Sequence, residues 1–364
     1  MRSRPLSRLL SRPLLIALAV AATLAVGVAA TPSGASSTRG KSNGDTIRLV
    51  THDSFAVSED VKRAFEEESG LELRILKAGD AGEVVTRALL TAGTPEGDVL
   101  FGVDNNLVER ALTGDVFEPY ESPELASVDP ALVVDPEHRV TPIDRGDVCL
   151  NYDKHWYASR GLALPKDLVA LTLPRYRDQL VVENAATSTP GLAFMLATIA
   201  EFGDRWQGYW RKLRANGVLV VDGWEDAYYS RFSGSAGSKG KRPVVVSYAS
   251  SPPAEVIFAK PRPSTAPTGV VEASCFRQVE FAGVLRGAKN EEGARKLVDF
   301  MLSKRFQEDI PLQMFVFPAR TDASLPPEFE RFAVVPERPL ELPPQEIEQN
   351  RESWVDQWTD IVVR

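Results

Sequence analysis

The sequence predicts an α/β protein of two lobes with a ligand cleft between them, and three observations carry that expectation. Strand-like and helix-like segments alternate twice along the chain, the pattern of parallel sheet covered by helices. The chain has 364 residues, 43% apolar and 25% charged, enough for about two ordinary cores. Segments near 140–152 and 276–286 read as crossings between the two units. The expected organisation is a signal segment at 1–30, a flexible lead-in at 31–45, one lobe from 46–145 with 280–364, and a second lobe at 146–279.

Arg2, Arg4, Arg8 and Arg12 precede the apolar run Leu14–Ala30, which ends in Val28-Ala29-Ala30. Basic, then apolar, then small residues form an export signal. A retained anchor is the alternative, because 17 residues lie at the lower edge of a membrane span. No cysteine follows the run to take a lipid, and no Arg-Arg pair marks twin-arginine export. The chain is therefore expected in the periplasm or on the outer face of the cytoplasmic membrane. Its formal charge is −8, and about −12 without the first 30 residues, which carry four arginines and no acid. Such a body repels nucleic acid and anionic membranes and suits a cationic ligand.

Thr46–Thr51 alternates as a strand, and Ser58 with Glu59 and Asp60 starts a helix whose buried face is Val61, Ala64 and Phe65. Gly70 ends that helix. Leu71, Leu73 and Ile75 mark a second strand, Gly82–Ala92 a helix and Asp98–Val103 a third strand. The pattern resumes with a strand at Gln179–Glu183, helices at Pro190–Phe202 and Arg205–Asn216, and a buried strand at Pro243–Tyr248. Residues 290–303 are amphipathic through Ala294, Leu297, Val298 and Met301. Ile347, Trp354, Trp358 and Ile361 share one face of a closing helix, a packing tail. Cys149 and Cys275 lie in apolar strand-like stretches; they either pair in an oxidising compartment or stay as buried thiols.

Catalytic machinery is sparse. The three histidines, His52, His138 and His155, have no metal-ligand spacing, and there is no C-x-x-C. Gly234–Lys241 lacks the phosphate-loop spacing, and no G-x-S-x-G occurs. What remains are loops beyond the carboxyl ends of the expected strands, where α/β sheets bind ligands. These are His52-Asp53-Ser54; Asp80, flanked by small residues; Asp104-Asn105-Asn106; Ser188-Thr189-Pro190-Gly191, with free helix-start N–H groups; and Trp224 to Tyr229 with Tyr248. Asp80 also reads as an N-cap, Ser188 as a cap, and the aromatics as core. Flat aromatic faces hold cationic rings, whereas Tyr228 and Tyr229 as phenolates would suit ferric iron.

Seven ordered motifs extend these loops: Asp53-Ser54-Phe55; Gly102-x-Asp104-Asn105-Asn106-Leu107; Tyr152-Asp153-Lys154; Ser188-Thr189-Pro190-Gly191-Leu192; Gly223-Trp224-x-x-Ala227-Tyr228; Ser247-Tyr248-x-x-Ser251-Pro252; and Phe300-Met301-x-Ser303-x-x-Phe306-Gln307. In this order, over roughly residues 46–364, the chain resembles the thiamine-binding substrate-binding proteins of bacterial ABC importers.

The resemblance implies a type II periplasmic-binding-protein-like fold that closes on thiamine, its monophosphate or its diphosphate and delivers it to a permease. It places Asp80 against the charged or amine-bearing rings, Trp224 and Tyr248 on their faces, and Ser188 with its helix start at the hydroxyethyl or phosphate end. His52 stands where the family has tyrosine. No tryptophan follows the Asp-Ser-Phe loop, where Ala56-Val57-Ser58-Glu59 stands instead. A second tyrosine is missing near Ala254, and a late tryptophan is replaced by Phe315. The expected ligand-binding set is thus His52, Asp53, Asp80, Ser188, Thr189, Gly191, Trp224, Tyr228, Tyr248 and Phe315, with no catalytic residue, metal or cofactor, in a monomer. A ferric-iron receptor using Tyr228 and Tyr229 is the alternative. An exported hydrolase of a cationic or phosphorylated substrate is a further one.

Overall fold

The computed structural model describes residues 46–364, so the expected signal and lead-in, 1–45, lie outside the described residues. Ten strands form one mixed sheet. Strands β1 (Thr46–Thr51), β2 (Glu72–Lys77) and β3 (Val99–Asp104) make a parallel trio in the order β2-β1-β3. Between them, α1 (Glu59–Ser69) and α2 (Ala81–Leu90) supply the crossovers, and α3 (Val108–Thr113) leads to the short β4 (Phe117–Glu118). Both ends of α1 follow the expected chemistry. Ser58 Oγ accepts from the Val61 N–H, and Gly70 closes the helix with a left-handed φ of 72°.

The second half repeats the logic. β5 (Thr141–Asp153) leads through α4 (Lys154–Arg160) to β6 (Leu180–Glu183), α5 (Thr189–Phe202), α6 (Trp206–Ala215), β7 (Leu219–Val221) and β8 (Val244–Tyr248). Here β8, β6 and β7 form the second parallel trio. After α7 (Pro252–Ile257), the 18-residue β9 (Thr268–Leu285) runs antiparallel to β5 and β3. The long strands β5 and β9 thereby join the two trios into one sheet. α8 (Glu291–Leu302), α9 (Lys304–Gln313), β10 (Phe317–Pro318), α10 (Pro327–Phe332) and α11 (Pro344–Val362) complete the chain.

Burial explains the helix patterns. Every residue of α5 from Thr189 to Ile199 is buried, so an apolar run without a polar face is what that position requires. α11 packs its Trp358 edge-on against Trp210 of α6, with centroids 5.4 Å apart, and buries Ile347 in its first turn. The expected packing tail is borne out.

Cys149 and Cys275 form a disulfide, which settles the open choice between paired and free thiols. The bridge sits where β5 and β9 lose register: Val148 pairs with Phe276 but Leu150 with Val271. The extra β9 residues bulge, and Ser274 Oγ takes the displaced Leu150 N–H at 2.8 Å. Among the described residues, no helix is long and apolar enough to cross a membrane.

Candidate functional site

The carboxyl ends of both parallel trios converge on one cavity of about 590 Å³. His52 follows β1, Asp80 follows β2, Thr189 and Pro190 open α5 after β6, Trp224 follows β7 and Tyr248 ends β8; all line it. Phe315, after α9, closes another side, as do Met314 and Val316. Of the ten residues expected at the site, His52, Asp80, Thr189, Trp224, Tyr248 and Phe315 line this cavity.

Asp80 holds its double role. It caps α2, accepting the Ala81 N–H at 2.8 Å while Glu83 Oε2 takes the Asp80 N–H, and this begins the helix at Ala81 rather than the expected Gly82. Its other oxygen, Oδ2, accepts the Trp224 N–H from the far side at 3.1 Å. A Cβ at Gly223 would stand 3.1 Å from that oxygen, so the bare backbone permits the approach. Burial holds the Asp80 carboxyl above its ordinary range, opposed by the Trp224 N–H and by His52.

Trp224 is fixed from several sides. Its Nε1 donates to Ser247 Oγ at 3.0 Å, and Ser251 Oγ in turn bonds Ser247 Oγ and the Tyr248 N–H. Its ring stacks on Tyr228 (5.0 Å, 16°) and meets Tyr229 edge-on and Tyr248 at a tilt. One flat wall results, backed by buried polar bonds.

His52 lies opposite. A Cβ at Gly102 would stand 2.4 Å from His52 Cδ2, and Gly102 itself has φ 104°, so glycine makes room for the imidazole. His52 Nε2 stands 3.4 Å from Glu280 Oε1. Burial pulls the imidazole down, but Glu280 outweighs it and holds His52 above its ordinary pKa. Glu280 lines the cavity from the middle of β9. Behind it lie two further buried acids. Asp144 has no hydrogen-bond donor on either oxygen, and burial with the neighbouring Glu280 pushes it well up. Asp104 is pushed up to about 7 by burial and Glu280, although Asn106 donates to it twice. Glu280 is therefore the acid of the cavity floor that meets His52, with Asp104 and Asp144 buried behind it.

Phe315 takes a φ of 58°, unusual for a residue with a side chain. Ser250 Oγ holds its carbonyl at 2.7 Å, and its ring packs against Phe258 and Phe329. Strain kept in place by such contacts is typical of functional loops.

The other expected residues stand elsewhere. Asp53 is exposed and ties the loops after β1 and β2 together through the Gly79 N–H. Ser188 is buried with its hydroxyl turned to Asp80, where it favours the ionised carboxylate. Gly191 packs the start of α5 on β6, where a Cβ would stand 2.6 Å from the Glu183 carbonyl oxygen. Tyr228 is a core residue, 2% exposed, with its hydroxyl 2.7 Å from Glu255 Oε1. Tyr229 alone of the tyrosine pair reaches the cavity. Sequence reasoning passed over Glu280, Gln313, Met314 and Val316.

A cavity with aromatic walls on one side and the acidic side chains Asp80 and Glu280 in its lining suits a flat, positively charged molecule. No group of three or more His, Cys, Asp or Glu side chains among the described residues is placed to hold a metal.

Known proteins resemble this chain over most of its length. A thiamine-binding periplasmic protein of Salmonella typhimurium is 31% identical over 323 residues, spanning 87% of this chain and 94% of its own length. The solved structure of a periplasmic thiamin binding protein matches with a TM-score of 0.78 and 28% identity, covering 90% of this chain and 99% of that one. A ferric binding protein from Campylobacter jejuni shares the fold (TM-score 0.69) at 17% identity, with 86% of this chain and 99% of that one covered. The type II fold expected from the motifs is thus the observed one. The model of the bacterial extracellular solute-binding proteins matches residues 96–336. With two independent likenesses over most of its length and a cleft built from the ends of two parallel trios, the chain belongs to the bacterial extracellular solute-binding protein family.

Proposed function

We propose that this chain is the extracytoplasmic receptor of an ABC importer, that it binds thiamine or its phosphate esters in the cavity, and that it hands the ligand to a membrane permease. The observation that carries this reading is the half-buried Asp80 carboxylate facing the Trp224–Tyr248 wall inside one cavity. A thiazolium ring brings the positive charge that a desolvated carboxylate lacks, and its flat face suits the indole. Likeness to thiamine-binding relatives over 87% of the chain supports the same ligand. The receptor acts as a monomer with lobes at 46–145 with 280–364 and at 146–279, hinged through β5 and β9, in the periplasm or on the outer face of the membrane. It needs no cofactor, and no catalytic role is assigned within a family of solute-binding proteins.

The ferric alternative loses its chemistry here, because the Tyr228 hydroxyl is committed to Glu255 within the core while Tyr229 faces the cavity. Calorimetry of the purified protein with thiamine, its monophosphate and its diphosphate tests the proposal. Sub-micromolar binding of at least one, weakened in Trp224→Ala, is the expected result. Binding of none, or a visible tyrosinate band on adding ferric iron, would overturn it.

A further inference from the structure

The aromatic wall of the cavity is braced by α7. Ser251, just before that helix, and Glu255 within it stand four residues apart, and so on one face. Both are buried, and each reaches Trp224 by its own route. Ser251 Oγ bonds Ser247 Oγ, which accepts the Trp224 Nε1–H and fixes the edge of the indole. Glu255 Oε1 accepts the Tyr228 hydroxyl at 2.7 Å. Tyr228 does not line the cavity, but it stacks on Trp224, which does. Ser251 also faces the Tyr228 hydroxyl, so the two routes meet. Glu255 Oε2 accepts the Ala236 N–H from the loop 233–242, a Gly/Ser/Lys-rich stretch with no residue in the cavity lining. Among the described residues no cation pairs with this carboxylate; the titratable groups that face it are Tyr228 and Tyr229. Burying a carboxylate with no cation beside it costs free energy. What it secures here is the orientation of two rings.

We propose that Glu255 is a positioning residue for ligand binding: it holds the Tyr228 ring, which sets the Trp224 wall, and it ties the loop 233–242 to the same carboxylate. The inference rests on the cavity being the ligand site, as proposed above. When ionised, Glu255 accepts at both oxygens. When protonated, one oxygen must donate. The Ala236 N–H cannot accept, so the proton falls on the Tyr228 side and reverses that bond, leaving the phenol without its acceptor. Burial pushes Glu255 up to about 7, opposed by the Tyr228 hydroxyl and the Ala236 N–H, so the reversal falls near neutral pH.

Near-ultraviolet circular dichroism of the ligand-free protein reads the Trp224–Tyr228 stack, and Trp224→Phe identifies its share of the signal. A step between about pH 6 and 8 in the wild type, absent from Glu255→Gln and Tyr228→Phe, is the expected result. Calorimetry with thiamine at about pH 8 reads the consequence for binding. Each single variant should bind about 3- to 10-fold more weakly, the range of one aromatic contact, and the double variant no more weakly than the weaker single. Tyr228→Phe keeps the ring in the core, so it holds the test should Glu255→Gln fold poorly. A wild type without the step, a step that persists in Glu255→Gln, losses that add in the double variant, or wild-type affinity in both variants would overturn the positioning role. Should the wild type bind no thiamine, the proposed function fails by itself, and the dichroism step alone decides whether Glu255 sets the wall.

Discussion

Replacing Asp80 by Asn separates the two roles of that residue. Asn caps a helix about as well as Asp, so its carbonyl oxygen keeps the 2.8 Å bond from the Ala81 N–H and α2 stays anchored. Two things are lost: the negative charge and one acceptor, leaving the Trp224 N–H without its 3.1 Å partner. A hydrogen bond to a charged group is worth about 1.5–3 kcal/mol, so a cationic ligand should bind about 10- to 150-fold more weakly. The Trp224 loss falls on every ligand; the charge loss falls on cations alone. Calorimetry with thiamine and with an analogue whose thiazolium is replaced by an uncharged ring resolves the two, since only the difference between ligands reports the charge. The wild type should also lose thiamine affinity on acidification sooner than an ordinary aspartate would allow, because burial raises the Asp80 pKa. In Asp80→Asn that component should vanish. Equal losses for both ligands, or wild-type affinity for thiamine, would refute the assignment of Asp80 as the cation's partner.

The acids buried behind the cavity floor make stability depend on pH in the opposite direction from most salt-bridged acids. Asp104 titrates at about 7 when folded and near the ordinary aspartate value when unfolded, so between those values the native state holds the extra proton. Stability should therefore fall as pH rises through that window, by on the order of 4 kcal/mol for this group once fully ionised. Urea melts from pH 4.5 to 7.5 should lose one proton's share of that slope in Asp104→Asn, about 1.4 kcal/mol per pH unit; an unchanged slope would place the proton elsewhere. The disulfide spans 126 residues, and breaking it should cost about 2–5 kcal/mol of stability. Neither cysteine lines the cavity, so affinity under non-denaturing conditions should stay the same. A large loss of affinity on reduction would tie the bulge in β9 to the site.

Which parts of the site could be read in advance follows from how each part is encoded. His52, Asp80, Thr189 and Trp224 stand within a few residues of strand ends, and strand ends announce themselves through alternation followed by glycine, proline or a capping residue. Glu280 has no such marker. It lies inside an 18-residue strand, and whether it faces the cavity depends on how β9 registers against β3 and β5, including the shift at Gly102. Long-range register leaves no local trace. Tyr228 fails for a related reason: the adjacent tyrosines are visible, but the π-helical turn Asp226–Arg231 decides which one turns inward to Glu255. The cysteine pairing depended on a bulge between distant strands, and so the sequence left it open.

The contact between Asp80 and Trp224 also bears on the hinge motion proposed above, in which the two lobes close on the ligand. One residue follows β2 and the other β7, at opposite ends of the sheet, and their 3.1 Å bond is a direct link across the cavity. Bringing these ends together takes the Asp80 carboxylate out of water, which costs free energy that a single N–H repays only in part. A cation seated beside Asp80 offsets the remainder in the closed form. In the open form, where water already solvates the carboxylate, it gains far less. The ligand's charge thus has different worth in the two states, and a ligand shifts a conformational equilibrium only by such a difference. A neutral molecule of the same shape should fill the cavity and stack on Trp224 while leaving the open and closed populations closer to their resting balance. Small-angle scattering with the charged and uncharged ligands at saturation measures that contrast directly, and equal compaction by both would show that closure is driven by the aromatic wall instead.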